Sequence, residues 1–402
     1  MVQKILSLFI LLFIFSCSSK EEDAQIEGNV ETQKLNSAIS TFGWKLFHKQ
    51  LETTDENILV SPLSVHTALS MTLQGADNNT RDEMLATLEC SDITKEDIAV
   101  TYKELEAALY KKKEASELGG KNAIFYDNKR MTAYENFLNI NKDNFNSQNS
   151  TLDFSKPAST AAINQWAEDA TKGKIKEILD EIKDEDVMFL INALYFKGDW
   201  ETGFDEGLTK EAAFKKSDNS VQNIPFMYSD DYRPYFTNSE LSAVDMNIKG
   251  GEFAMTLILP KENSKSYLLD KVSDDLPQWY KNIVDGFIDS RIEVRLPKFE
   301  VKTKETLNNI LKKLGMIEAF TGAADLSKLG TSSIGKLFIS RVLHDAYIKV
   351  DEKGVEGAAV TTVGIAVTSA PPQLDLKRPF VYVIRHNESG IPLFIGLFNG
   401  LD

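Results

Sequence analysis

The first half of the chain is dominated by apolar positions at helical spacing. Residues 35–51 place their apolar side chains on one helical face: Leu35, Ile39, Phe42, Leu46 and Phe47. Ser61 and Pro62 have the residue types of an N-cap and a first helical position, so they predict the start of a second helix. Further helical periodicity in 78–88 and 159–175 predicts two more helices in this half.

The second half is rich in apolar and β-branched runs of strand length. These runs are "DVMFLINALYFKGDW", "FAMTLILP", "RIEVRLPKFEV", "LFISRVLHDAYIKVD", "PFVYVIRH" and "IPLFIGLFNG". The last two flank "NESG" and predict a hairpin, and one further helix, "ETLNNILKKLGM", interrupts the strands. Helices first and long strands later predict an α+β fold with large antiparallel or mixed sheets.

The N-terminus has the pattern of an export signal. Lys4 precedes an apolar run, residues 5–15, which is too short to span a bilayer as a helix. Ser16 and Cys17 follow, as at the cleavage site of a bacterial lipoprotein signal, although Phe15 occupies a position usually given to a small residue. We therefore expect residues 1–16 to be removed and Cys17 to be lipidated.

Residues 17–31 are polar and acidic, and we interpret them as a tether to a single domain over 32–402. The "SSKEED" after Cys17 is similar to the acidic tag of surface lipoproteins in some Gram-negative bacteria. This favours an outer-membrane lipoprotein that is exposed at the cell surface. The alternative is a secreted protein that loses Cys17 together with its signal.

Composition narrows the range of partners. The chain has 402 residues, 42% of them hydrophobic, which allows a large core, and its net charge of −15 argues against nucleic acid as a partner. The basic run 111–113 lies in a helix-like stretch, 102–118, and is expected to be a solvated helix end. Cys90 is the only cysteine besides Cys17, so a lipidated chain has no intramolecular disulfide.

The sequence contains no motif of a catalytic or metal-binding site. It lacks a phosphate loop, a GxGxxG turn, a GxSxG elbow, a CxxC pair and an HExxH helix. The four histidines are far apart, and His344-Asp345 lies in a strand pattern without a nucleophile turn. That pair leaves a hydrolase as an alternative. We expect a protein that is not an enzyme and that needs neither a metal nor a cofactor.

Six long segments resemble the serpin family. They are "NILVSPLSVHTALSMTLQGADNNT", "INQWAEDATKGKIKEIL", "FLINALYFKGDWETGF", "LPKFEVKTKETLNNILKKLGM", "VLHDAYIKVDEKGVEGAA" and "KRPFVYVIRHNESGIPLFIGLFNG". They occur in the family's order and with its approximate spacings, from about residue 32 to the end. The resemblance implies three β-sheets, eight or nine helices and an exposed reactive-centre loop between strands that end near Val350 and start near Leu374.

The resemblance also implies roles for polar residues that patterning leaves unexplained. Ser61, Ser64, Asn192 and His344 match the residues that hold a hydrogen-bond network beneath the opening of the family's main sheet. Trp200, with Phe204, matches the point at which the loop first enters that sheet. This is a structural interpretation of His344, and it competes with the hydrolase interpretation.

The loop has the composition of a strand. Residues 357–371 carry no charge, and every second residue from Val355 to Val367 forms a set of apolar and small side chains that could face a core. The alternate set contains Glu356, the only charge, which must stay in solvent. By resemblance the insertion hinge consists of Glu352, Gly354, Val355, Glu356, Gly357, Ala358 and Ala359.

Loop length in the family places the scissile bond at Thr368-Ser369, with Val367-Thr368 as the alternative. The residue before the cut is then small, β-branched and uncharged, and residues 354–376 contain no Arg or Lys. An elastase-like or subtilisin-like serine protease is therefore the expected target, rather than a trypsin-like one.

The resemblance implies a suicide-substrate inhibitor that traps the acyl-enzyme by inserting its cleaved loop into the main sheet. We expect a monomer whose partner is the target protease and whose contact with a membrane is a lipid anchor at Cys17. The alternatives are a non-inhibitory serpin, such as a binding carrier or chaperone, and an inhibitor of a cysteine protease.

Overall fold

The computed structural model describes residues 30–110, 115–271, 275–355 and 371–401. The described ranges contain nine α-helices, and none of them has the length and apolar character needed to span a membrane. The helices are α1 (Val30–Leu51), α2 (Pro62–Leu73), α3 (Asn78–Thr87), α4 (Lys95–Leu109), α5 (Glu135–Phe145), α6 (Pro157–Ala170), α7 (Ser264–Lys271), α8 (Leu276–Asp285) and α9 (Asn308–Lys313).

Strands make up most of the second half of the chain. The first nine are β1 (Ile58–Val60), β2 (Ser116–Asp127), β3 (Met131–Ala133), β4 (Ser147–Leu152), β5 (Met188–Asp199), β6 (Lys210–Lys215), β7 (Val221–Thr237), β8 (Leu241–Asn247) and β9 (Phe253–Pro260). The others are β10 (Ile288–Pro297), β11 (Phe299–Thr306), β12 (Gly330–Ser332), β13 (Leu343–Val350), β14 (Gly354–Val355), β15 (Gln373–Asp375), β16 (Phe380–His386) and β17 (Pro392–Phe398).

The strands of the described ranges form three sheets, as expected. A nine-stranded sheet has the order β1-β17-β16-β9-β8-β7-β10-β15, with β6 added to β7. A six-stranded sheet has the order β11-β13-β14-β5-β2-β4, and β12 pairs with β3. The main core includes a cluster of aromatic rings, in which the ring centroids of Phe299 and Phe398 lie 4.7 Å apart. A second apolar cluster lies between the six-stranded sheet and α6, which covers it.

The predicted α+β class and the predicted hairpin are confirmed, because β16 and β17 pair in antiparallel register around residues 387–391. Two boundaries were wrong. Residues 116–118 belong to β2 and do not continue a helix, and 337–342 precede β13 outside any strand. The first helix begins at Val30, so the last two residues of the predicted tether, 30–31, are helical.

Candidate functional site

The six-stranded sheet has a discontinuity between its two long central strands, β5 and β13. These strands run parallel, because β14 pairs antiparallel with both of them. Within the described ranges, the two residues of β14 are the only ladder that connects β5 to β13. We call this boundary the β5–β13 seam, the end that holds β14 its entry end, and the end where both strands begin its far end.

The first residues of the predicted hinge occupy the entry end. Gly354 pairs with Asp199, and Val355 pairs with both Gly198 and Val350. The Val355 side chain is 2% exposed, so it faces the core. A Cβ at Gly354 would lie 2.1 Å from the Gly198 carbonyl oxygen, so only glycine fits at this crossing.

Trp200 and Phe204 hold the turn that leads into β14. The Trp200 indole Nε1 donates to the Asp351 carbonyl at 2.9 Å, and its backbone N–H donates to the Lys353 carbonyl at 2.9 Å. The Phe204 backbone N–H donates to the Glu352 carbonyl at 2.8 Å. Trp200 is fully buried, so the indole fixes the hinge backbone from below.

Glu352 anchors the same turn through its side chain. It accepts hydrogen bonds from Lys298 Nζ at 2.8 Å and Thr209 Oγ1 at 2.9 Å, and the side chain is only 7% exposed. Burial acts to raise the pKa of Glu352, but the hydrogen bonds, led by that from Lys298, offset it and lower the pKa. Neither Lys298 nor Thr209 was identified from the sequence.

Two hydrogen-bond networks lie beneath the middle of the seam. In the first, the Ser61 backbone N–H donates to His344 Nε2 at 3.2 Å, and Ser61 Oγ donates to the Leu393 carbonyl at 2.9 Å. Burial lowers the pKa of His344 to about 4, so the ring is neutral at pH 7. Ser61 is the N-cap residue of α2, with Pro62 directly after it, as predicted, but its hydroxyl bonds to β17 instead of the start of α2.

The second network runs from α2 across the sheet to α4. Ser64 Oγ donates to the Asn192 carbonyl at 3.4 Å, Asn192 Nδ2 donates to Asn122 Oδ1 at 2.8 Å, and Asn122 Nδ2 donates to Glu106 Oε1 at 2.8 Å. Burial raises the pKa of Glu106 to about 8. The structure thus splits the four residues assigned to one network into two, and it adds Asn122 and Glu106.

His344 and Asp345 do not form a catalytic pair. Burial alternates along β13, with His344 facing the core and Asp345 facing the opposite side of the sheet. Both carboxylate oxygens of Asp345 are buried without a hydrogen-bond partner. Burial raises the pKa of Asp345 to about 7. This geometry removes the one residue pair that suggested a hydrolase.

A cavity follows the middle and the far end of the seam. Its volume is about 100 Å³, and it is lined by residues of both strands, including Leu190 and Asn192 of β5 and Leu343 and His344 of β13. Protein interiors are normally packed without voids of this size. The seam is therefore a loosely packed line through an otherwise dense core.

The remaining predicted site residues lie outside the described ranges. They are Glu356, Gly357, Ala358 and Ala359 of the hinge, Val367, Thr368 and Ser369 of the candidate scissile bonds, and Cys17. Beyond the loop, the chain is described again from Pro371, and the Glu293 backbone N–H donates to the Pro372 carbonyl at 3.0 Å.

Comparisons with known proteins agree with this architecture. The profile of the family described as "Serpin (serine protease inhibitor)" matches residues 37–400. Leukocyte elastase inhibitor A of Mus musculus is 31% identical over 381 residues, which cover 90% of this chain and 98% of that protein. The thermophilic serpin tengpin in its native state is 31% identical, with a TM-score of 0.84 over 93% of this chain and 95% of that chain. Human thyroxine-binding globulin, solved with its ligand, is 26% identical, with a TM-score of 0.83 over 92% of this chain and 98% of that chain. The chain belongs to the serpin family.

Proposed function

We propose that this serpin is an inhibitor that traps a serine protease by inserting its cleaved loop into the β5–β13 seam. The observation that carries the proposal is β14, in which Gly354 already pairs with β5 and Val355 pairs with both flanking strands. An antiparallel strand that continues from Val355 would meet two strand edges that no other described strand satisfies.

Extending the β14 register gives each loop residue a position in the seam. Val355 lies opposite Val350 and Gly198, so Thr361 would lie opposite His344 and Asn192. Residues at even distances from Val355 would face the core, as Val355 does. In that register Val363 and Ile365 become buried, which contributes roughly 1.5–3 kcal/mol each.

The register also gives Glu356 a favourable position. It would lie between Lys349 of β13 and Lys197 of β5, on the side of the sheet away from the core. Lys349 is paired across the ladder with Glu300, and Lys197 is paired with Glu117. The inserted carboxylate would complete a row of alternating charges, an arrangement that favours cross-strand pairing. The charge of Glu356 therefore supports insertion.

The chemistry begins with attack by the protease serine Oγ on the Thr368 carbonyl carbon. The C–N bond to Ser369 breaks, Ser369 leaves as a new amino terminus with the transferred proton, and Thr368 remains as an acyl ester on the enzyme. Insertion of the freed loop then moves the ester-linked protease along the sheet. The energy comes from the strand pairing that the intact, kinetically trapped fold lacks.

An elastase-like or subtilisin-like enzyme is the proposed target. A small, uncharged residue precedes both candidate scissile bonds, and residues 354–376 offer no Arg or Lys to a trypsin-like pocket. Among the relatives are leukocyte elastase inhibitors of mouse, rat and pig at 30–31% identity. We further propose that the protein is exported and anchored at the outer membrane through Cys17, on the strength of its N-terminal pattern.

Mixing the protein with pancreatic elastase tests the proposal. The expected result is a covalent complex that survives boiling in detergent, together with a C-terminal fragment that begins at Ser369 or Thr368. Trypsin is the matched control and should form no such complex. Cleavage of the loop by elastase, subtilisin and papain without any complex would overturn the inhibitor proposal in favour of a non-inhibitory serpin. A complex with papain alone would instead indicate a cysteine protease inhibitor.

A further inference from the structure

A buried ion pair lies at the far end of the β5–β13 seam. Asp186 stands two residues before β5, and Ser340 and Arg341 stand just before β13. The Arg341 guanidinium pairs with the Asp186 carboxylate, and Ser340 Oγ donates to the same carboxylate at 2.6 Å. Side chains that precede the two strands therefore bind each other directly across the seam.

The pair is embedded in further contacts on both sides. The Asp186 side chain is fully buried and also accepts from the Lys183 backbone N–H at 2.9 Å. Arg341 is 13% exposed, donates to the Glu181 carbonyl at 2.8 Å and stacks over the Phe189 ring at 5.6 Å. These contacts tie the lead into β13 to the segment that connects α6 to β5.

The extended β14 register places the end of an inserted strand at the same level. Gly364 would lie opposite Arg341 and Phe189, and Ile365 would lie opposite Ser340 and Met188. The first eight inserted positions, 355–362, would lie opposite 343–350 and 191–198, clear of this ion pair. Only the last part of the loop therefore reaches it.

An intervening strand and the direct contact exclude each other. A strand between β5 and β13 separates their backbones by about 9.6 Å, or two spacings of about 4.8 Å. The side chains of Ser340 and Asp186, with their 2.6 Å hydrogen bond, span at most about 9 Å between Cα atoms. Asp186 also lies two residues away from the level of Ser340 in this register, which adds to the distance required. The Ser340–Asp186 hydrogen bond must break before residues 364–366 pair, and the longer Arg341 side chain, which binds the same carboxylate, must reorient with it.

We propose that Asp186, Ser340 and Arg341 form a clamp that controls the final stage of loop insertion into the seam. The proposal rests on the proposed inhibitory mechanism and adds a positioning role for residues that touch neither the protease nor the scissile bond. With the clamp closed, the loop can begin to insert but cannot complete the strand. Breaking the clamp is part of the barrier that keeps the intact fold trapped.

Two synthetic peptides with the loop's own sequence test the clamp without a protease. One spans 356–368 and reaches the clamp, and the other spans 356–362 and ends before it. Each carries a fluorophore and is incubated with the intact chain, and the annealing rate is followed by native gel. The double variant Asp186→Asn/Arg341→Met removes both charges, which avoids leaving one of them buried alone.

The long peptide should anneal to the double variant about tenfold faster or more than to the wild type, as expected for the loss of a buried ion pair from the barrier. The short peptide should anneal at an unchanged rate. Ser340→Ala, a milder change, should accelerate the long peptide by a few-fold. Arg341→Lys, which keeps the charge, should restore most of the wild-type rate.

Arg291→Met is the matched control, since it removes a guanidinium that holds Asp230 at 2.9 and 2.8 Å on the nine-stranded sheet. Its rates should equal those of the wild type. If the clamp variants accelerated the annealing of both peptides equally, the fold would be loosened in general and the clamp proposal would be overturned. An unchanged annealing rate of the long peptide would overturn it as well. The absence of a covalent complex with elastase would defeat the inhibitor proposal alone, because the annealing rates are measured without enzyme.

Discussion

At the entry end of the β5–β13 seam, Gly354 and Val355 already form a strand between the two edges, whereas at the far end Asp186 and Arg341 bind each other across them. The entry end is held open by a glycine crossing and a buried tryptophan that fixes the turn. The far end is held closed by the Asp186–Arg341 ion pair. A strand that filled this seam would therefore begin at the existing β14 pairing and would have to disrupt the Asp186–Arg341 contact to finish. A kinetically trapped fold requires such a barrier.

Removing the pairing of Val355 in β14, where insertion is proposed to begin, should have the largest effect. Val355→Arg places a charge where the side chain is 2% exposed, so β14 should leave the seam and insertion should lose its start. We expect the yield of covalent complex with elastase to fall at least about tenfold, with loop-cleaved product in its place. Val355→Thr, close in shape, should keep most of the yield. A normal yield from Val355→Arg would show that insertion does not begin at β14.

Reversing the charge of Glu352, which anchors the turn before β14, should have the second-largest effect. Glu352→Lys removes the bonds to Lys298 and Thr209 and sets two like charges together. The free energy of the first unfolding transition in urea should fall by about 2–3 kcal/mol, between the values for surface and buried pairs. The exchange Glu352→Lys/Lys298→Glu should recover more than half of this loss. No recovery would indicate that the ion pair is not what anchors the turn.

Asp345 offers a pH-dependent test beside the far end. Its pKa is raised to about 7 by burial, above the ordinary value of 3.8, so its stabilising protonated form is lost as the pH rises through 7. Asp345→Asn should therefore raise the melting temperature most above pH 7, less at pH 5, and not at all near pH 4. The measurement is a series of thermal melts over that range. A gain that is independent of pH would show that the carboxylate titrates normally.

The polar networks between the two ends should give the smallest effects. Ser61 Oγ bonds to the Leu393 carbonyl at 2.9 Å, and Ser64 Oγ bonds to the Asn192 carbonyl at a long 3.4 Å. Ser61→Ala should cost about 1 kcal/mol of unfolding free energy and Ser64→Ala less than about 0.5 kcal/mol. Urea denaturation of both variants measures the difference. A larger loss from Ser64→Ala than from Ser61→Ala would mean that the second network stabilises the middle of the seam more than the first.

Periodicity was sufficient to predict much of the fold. The helical repeat in 35–51 and the hairpin around "NESG" depend on local patterns, and both are present. The two-residue repeat from Val355 places that side chain toward the core, as the structure has it. The strand predicted for 337–342 was wrong, because the backbone groups of these residues form hydrogen bonds elsewhere in the fold. The Ile339 N–H donates to the Ala319 carbonyl, and the Ser340 carbonyl accepts from Asn308.

The candidate site was less predictable, because its contacts join residues far apart in sequence. Lys298 and Glu352 are separated by 54 positions, and Asp186 and Arg341 by 155. Asn122 reaches Asn192 across 70 positions. A lysine or aspartate that forms such a pair looks like any solvated charge in the sequence. The resemblance to serpins identified Ser61, Ser64, Asn192 and His344 as one network and Trp200 as part of the entry point. Only the structure shows which of them bond to one another.

The melting temperature of the loop-cleaved protein tests whether the β5–β13 seam accepts the loop as a strand. Under the proposed mechanism, cleavage frees residues 356–368 to continue β14 through the seam, fill its cavity and pair with both strand edges. We expect the cleaved form to melt at least about 20 °C above the intact form, a gain equivalent to many combined stabilising changes. Equal melting temperatures for the two forms would contradict it, because the seam would then offer the loop no lower-energy position.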